Sequence, residues 1–112
     1  MESLNYPKVV RDLLEYYVSL GASHRTEENP AFVLVDASES HFQWMRLGWQ
    51  GSQRVYGCVL HLEVKDHKIW VHQDNTDLDP VGALLEQGIS ASDIVLAFHP
   101  PYARHYTGFA VK

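Results

Sequence analysis

Two short reversals, Gly51-Ser52 and Asp66-His67, separate long β-prone runs and constrain this chain more than any other feature. A two-residue loop joins only antiparallel neighbours, and it pins which residues face each other across the pair. Glycine at the first central position of Gly51-Ser52 suits a type II′ turn. Histidine is among the residues that tolerate the positive φ required at Asp66-His67. Residues 41–49, 53–64 and 68–74 therefore read as three consecutive strands. Residues 31–36 form a further strand before them, joined through the turn-forming residues 37–40.

Closing the first hairpin places Trp49 opposite Arg54, Leu47 opposite Tyr56, Met45 opposite Cys58 and Trp44 opposite Val59. Closing the second places Val64 opposite Ile69, Leu62 opposite Val71 and His61 opposite His72. Side chains alternate between the faces of a strand. One face is then expected to carry Met45, Leu47, Tyr56, Cys58, Leu60, Leu62, Val64, Ile69 and Val71, and to form the core. The other is expected to carry Phe42, Trp44, Val59, His61, Glu63, Trp70, His72 and Asp74. A face mixing aromatics with titratable groups calls for a cover, since monomers rarely leave large apolar patches open. A second copy, another protein or the C-terminal tail would serve.

The flanking segments are helical or irregular. Val9, Val10, Leu13, Leu14, Tyr17 and Leu20 recur at helical spacing over residues 6–20, with Pro7 in the first turn and Gly21 as a stop. Residues 24–30 are polar and read as a loop. Asp79 and Pro80 open a short helix over 80–87 as N-cap and first helical residue. Residues 90–93 read as a turn and 94–98 as a short strand or a tight passage between helix and loop. His99-Pro100-Pro101 breaks regular structure, and 102–112 is an aromatic tail with a last short strand expected from Thr107. The expected fold is one α+β domain spanning 1–112: an antiparallel meander of about four strands, with the N-terminal helix and a short helix in the C-terminal half packed on one face.

Charge narrows the partners. Nine Lys and Arg stand against 14 Asp and Glu, for a formal net charge of −5. Binding duplex DNA rests mostly on neutralising phosphates, and no helix here carries a basic stripe, so direct nucleic-acid binding is disfavoured. No apolar run approaches the roughly 20 residues that span a bilayer. The lone Cys58 forbids an internal disulfide, and the first residues lack the pattern of a secretory signal. Together these point to a reducing cytoplasm.

No Walker loop, GxGxxG, GxSxG, HExxH or zinc-spaced Cys/His set is present, so no catalytic residue, metal ligand or cofactor is assigned. Cys58 reads as a packed residue of the core face rather than a nucleophile. His61 and His72, facing each other with Glu63 and Asp74 nearby, read as polar members of an interface or of a partly wet surface. The rival reading is a metal-assisted nuclease or hydrolase using His61, His72 and Asp74. Trp49 and Arg54 suit a cross-strand cation–π contact. Asp74-Asn75-Thr76-Asp77 is a turn without the spacing of a calcium loop. His99, Tyr102, Arg104 and His105, stiffened by two prolines, read equally as a recognition loop or as a rigid connector returning Phe109 and Val111 to the sheet. The partner-binding set is therefore Phe42, Trp44, His61, Trp70, His72, His99, Tyr102, Arg104 and His105. A third reading makes the chain a direct DNA binder through Arg46, Arg54 and Arg104.

Several runs, in order and spacing, resemble one family. They are Gly48-Trp49-Gln50-Gly51, Arg54-Val55-Tyr56-Gly57-Cys58-Val59-Leu60-His61, Lys68-Ile69-Trp70-Val71, Asp74-Asn75-Thr76 and Asp93-Ile94-Val95-Leu96-Ala97-Phe98-His99, followed by Arg104 and Thr107-Gly108. With the opening helix, the chain resembles the XisI-like family, the fdxN-element excision controlling factors of cyanobacteria, over nearly its whole length. Relatives usually carry Asp-Gly where Asp66-His67 stands here. The resemblance implies an accessory, non-enzymatic factor in the programmed excision of a DNA element during heterocyst differentiation, where a separate site-specific recombinase does the cutting. It implies an XisH-like protein or another member of the excision machinery as partner, with a homodimer as the alternative. It supplies no catalytic residues.

Overall fold

A computed structural model describes residues 4–20 and 30–112. Gly21 and all but the last residue of the loop expected over 24–30 lie outside the described residues. The order is α1 (Tyr6–Leu20), β1 (Ala31–Val35), β2 (His41–Gln50), β3 (Gln53–Lys65), β4 (Lys68–Asp74), α2 (Pro80–Glu86) and β5 (Ile94–Leu96). Short 3₁₀ turns occupy Ala91–Asp93 and Pro101–Tyr106. The α+β expectation holds, with one enlargement. The sheet has five strands in the order β1-β2-β3-β4-β5, and β5 runs parallel to β4 while the other pairs are antiparallel. A parallel neighbour needs a crossover, which α2 provides. The tail does not add a strand from Thr107; it touches β5 through a single bridge between Val95 and Ala110.

Local chemistry sets the helix starts. Asn5 caps α1 by accepting the backbone N–H of Lys8 at 3.1 Å, and Asp79 caps α2 by accepting that of Gly82 at 3.1 Å. Asp79 holds a left-handed backbone, φ 53°, and a Cβ at Gly82 would come within 2.2 Å of its carboxylate. The hairpin turns follow their chemistry too. Gly51 has φ 63°, while Asp66 and His67 both lie in the left-handed region at 55° and 59°, as a type I′ loop demands.

α1 lies across one face of the sheet. Its buried stripe, Val10, Leu14 and Tyr17, meets Phe42, Leu60, Leu62, Ile69 and Val71, and Leu84, Ile89 and Ile94 close the same cluster. Burial of each such side chain contributes roughly 1.5–3 kcal/mol relative to exposure.

Near its turn each hairpin keeps the expected register: Trp49 faces Arg54, Met45 faces Cys58, Val64 faces Ile69 and Leu62 faces Val71. Farther out, both slip. Trp44 pairs with Leu60 rather than Val59, and His61 pairs with Gln73 rather than His72, so Val59 and His72 are extra residues of β-bulges. A one-residue slip exchanges the faces of everything beyond it. Phe42, 1% exposed, is core, and Trp44 packs against that core with its ring 6.1 Å from Tyr17. Both were expected on the opposite flank. Conversely, the expected core residues Met45, Leu47, Tyr56 and Cys58 lie on the outer face, where Tyr56 is 71% exposed. The assignments of Leu60, Leu62, Val64, Ile69 and Val71 to the core, and of His61, Glu63, Trp70 and His72 to the outer face, stand.

Candidate functional site on the outer sheet face

With β2 turned over, its outward residues are His41, Gln43, Met45, Leu47 and Trp49. Beside them on β3 lie Arg54, Tyr56, Cys58, His61 and Glu63, and on β4 Trp70 and His72. At the centre three strands bring their imidazoles together. The ring centroids of His41, His61 and His72 are separated by 5.2, 4.9 and 6.2 Å. Glu63, only 15% exposed, lies beneath them, its oxygens 2.8 Å from His72 Nε2 and 3.3 Å from His41 Nε2. His41 Nδ1 is 3.0 Å from His61 Nε2.

One proton arrangement satisfies all of these distances. An ionised Glu63 accepts from the Nε2–H groups of His41 and His72. His41 Nδ1 is then a bare lone pair and accepts the Nε2–H of His61. The network is complete with three neutral imidazoles and one carboxylate. Burial first, then the neighbouring His72 and His41, holds the His61 pKa below the ordinary histidine value.

His41 is the member that sequence reasoning missed. Its place depends on β2 facing outward, which follows only from the bulge. The reverse holds for Asp74. The bulge at His72 pairs Asp74 with Leu60 on the helix side, and its carboxylate accepts from the Thr76 hydroxyl and backbone N–H at 2.7 and 2.9 Å. The trio His61, His72 and Asp74 is therefore not assembled. Among the described residues, no three His, Cys, Asp or Glu side chains are grouped so as to hold a metal ion.

Cys58 borders the cluster. Gln43 Nε2 approaches its sulfur at 3.8 Å, and the side-chain amide of Gln73 donates to its carbonyl. Burial pushes the thiol pKa up, the reverse of what a nucleophile needs.

Aromatic residues flank the cluster on both sides. Arg54 stands over Trp49 and Tyr56, 5.4 and 5.9 Å from the ring centroids. Lys65 Nζ lies 4.4 Å from the centre of Trp70, whose Nε1–H donates to the Lys65 carbonyl at 3.2 Å. Arg104 approaches the same ring at 5.9 Å.

The proline-stiffened segment has a visible connecting role. Arg104 donates to the carbonyls of His99, Ala97 and Val111 at 3.0, 3.3 and 3.4 Å. Phe109 packs against the core, and Ala110 N–H donates to Ile94 at 2.8 Å. Tyr102 and His105 are exposed on the 3₁₀ turn and His99 is half-buried. A groove of about 870 Å³ lies elsewhere, between the start of α1 and the β3–β4 turn. Within it, Tyr6 donates to Asp93 at 2.6 Å. That bond, with burial and the carboxylate's charge, pushes the phenol pKa up to about 12. No described helix is long and apolar enough to cross a membrane.

The architecture is a helix-backed sheet whose other face is open and chemically mixed. The family model for the XisI protein matches residues 1–111, and the chain belongs to that family. Two solved structures from Anabaena variabilis ATCC 29413 are similar over 96% of both chains. One is a XisI-like protein, 38% identical with a TM-score of 0.88. The other is the fdxN element excision controlling factor XisI, 30% identical with a TM-score of 0.79. No curated protein matches the chain.

Proposed function

We propose that this chain is an accessory factor in the control of DNA-element excision, acting through protein contacts made by the outer face of its sheet. The observation that carries the reading is that face itself. Met45, Leu47, Trp49, Tyr56 and Trp70 surround polar imidazoles there, and Arg, Trp, Tyr and Met are the residue types enriched at protein interfaces. Membership of the XisI family and the excision-controlling relative support the biological setting. The partner is a protein of the excision machinery, of the XisH-like kind, and the chain itself performs no cutting. A single half-buried cysteine suits a reducing compartment, and we place the protein in the cytoplasm.

Two observations weigh against the rivals. Asp74 is separated from His61 and His72 by the bulge in β4, so a hydrolase built on that trio lacks its carboxylate. Arg104, needed by the direct DNA reading, is engaged with three backbone carbonyls.

The test is excision of the element, measured by amplification across the rejoined junction, in a host lacking its own copy. The wild-type chain should restore excision. Trp70→Ala should weaken both excision and co-purification with the XisH-like protein at least tenfold while retaining a cooperative unfolding transition. Full excision with Trp70→Ala would refute the assignment of the face.

A further inference from the structure

The open face is the cationic part of an acidic molecule. The strands carry Arg46, Arg54, Lys65 and Lys68 against only Glu63 and Asp74, in a chain of net charge −5. With Asp74 on the helix side, Glu63 is the one strand carboxylate facing outward. Each of its oxygens faces one imidazole, that of His72 or of His41. Arg54, Lys65 and Lys68 against Glu63 leave two net positive charges while the imidazoles are neutral, and protonating all three would add three more.

The cluster is built to respond to that change. Its neutral form has one proton between His41 Nδ1 and His61 Nε2, which are 3.0 Å apart. A second proton there breaks that hydrogen bond; Glu63 balances one positive charge, and any further one must be balanced from outside. The groups facing the cluster offer little balance. On β2 they are Gln43 and on β3 Cys58, with Lys65 beyond Glu63; on β4 they are Trp70 and Gln73. Asp36, before β2, is already used by the backbone N–H groups of Ser40 and His41, both at 2.8 Å. His41 and His72 are still 40% and 34% exposed, so a partner can reach them.

We propose that His41, His61, His72 and Glu63 form a proton-operated switch on this docking face, and that the occupant it admits is a carboxylate-rich segment of a partner protein. This rests on the reading that the chain acts through its outer face. Charge decides the class of occupant. A second copy laid face to face would oppose two cationic surfaces. Nucleic acid would need many free cations to displace counterions, whereas Arg54 and Lys65 are stacked on rings. An acidic segment supplies the missing balance, and its apolar residues meet Met45, Leu47 and Trp49. Linkage is reciprocal: what binds the protonated cluster more tightly raises its proton affinity by the same factor. One imidazole raised by one pKa unit corresponds to about tenfold in affinity.

The experiment uses the full chain with 13C-labelled histidine, titrated from pH 8 to pH 5 with and without poly-L-aspartate. Poly-aspartate should raise the midpoints of His41, His61 and His72, and should bind about tenfold more tightly at pH 6 than at pH 8. In a His61→Gln/His72→Gln variant that pH dependence should flatten. Unmoved midpoints, pH-independent binding, or an unchanged pH dependence in the variant would each overturn the switch. A DNA duplex that raises the midpoints as strongly as poly-aspartate would overturn the class of occupant. If the variant does not fold, the wild-type midpoints decide, because they are read in the unmodified chain. Full co-purification with the XisH-like protein at every pH would sink the switch and leave the proposed function standing, whereas failure of Trp70→Ala to affect excision would sink that function itself.

Discussion

The two faces of β2, β3 and β4 are made by the same three strands and obey opposite rules. Inward, Phe42, Leu60, Leu62, Ile69 and Val71 are at most 1% exposed and form one cluster with α1. Outward, between residues at neighbouring positions, lie three imidazoles, a shared carboxylate and aromatic rings capped by cations. The inner face is held by area removed from water, which is insensitive to pH and direction. The outer face is held by directed, charge-dependent contacts, which respond to both.

The sharpest way to break this division is to put a charge on the inner face. Leu62 is fully buried there, and Leu62→Asp would leave a carboxylate without a partner among apolar neighbours. We expect a loss of at least about 4 kcal/mol, seen as loss of a cooperative melting transition. A variant that melts like the wild type would show that the inner face is not sealed from water.

A gentler comparison substitutes one residue per face. Leu62→Ala should cost about 2–5 kcal/mol through lost burial and the cavity left behind. Tyr56→Ala on the exposed face should change stability by no more than about 0.5 kcal/mol. Both follow from urea midpoints at constant m-value. Trp44 belongs with the first class despite an indole Nε1 that lacks a hydrogen-bond partner among the described residues.

The smallest effect lies in the pH dependence of folding. The folded chain holds the His61 pKa below its unfolded value, chiefly by burial. In the window between the two values the unfolded chain binds more protons, so stability rises with pH. The contribution is fully present above the unfolded pKa, near 6.5, and is lost as pH falls through the folded one. Urea midpoints should therefore decline from pH 7.5 to pH 5.5, and His61→Gln should flatten that decline. An equally steep decline in the variant would assign the dependence to other groups.

Much of the fold was legible because its signals are local. The stripe of Val10, Leu14 and Tyr17, the cap at Asp79 and the turn residues Gly51 and Asp66-His67 act within a few positions of themselves. Near each turn the pairing followed as well. What escaped was every feature that depends on a count of residues across strands. Val59 and His72 look like ordinary strand residues, and β2 is apolar on both faces, with Phe42 and Trp44 on one and Met45 and Leu47 on the other. Alternation alone cannot choose between them. The candidate site suffered in proportion: His61, Glu63, Trp70 and His72 were placed correctly, His41 was missed, and Phe42, Trp44 and Asp74 were placed on the wrong side.

By itself, then, the order of residues determined the elements, their antiparallel neighbours near the turns and the acidic balance of the chain, because each rests on short-range sterics or simple composition. Tertiary structure alone decided that β5 lies parallel to β4, that α1 covers the Phe42 side of β2, and that three distant histidines share one glutamate. Those outcomes turn on how a whole sheet buries the most apolar area beneath a helix, and for β2 a bulge of one residue set which face that was.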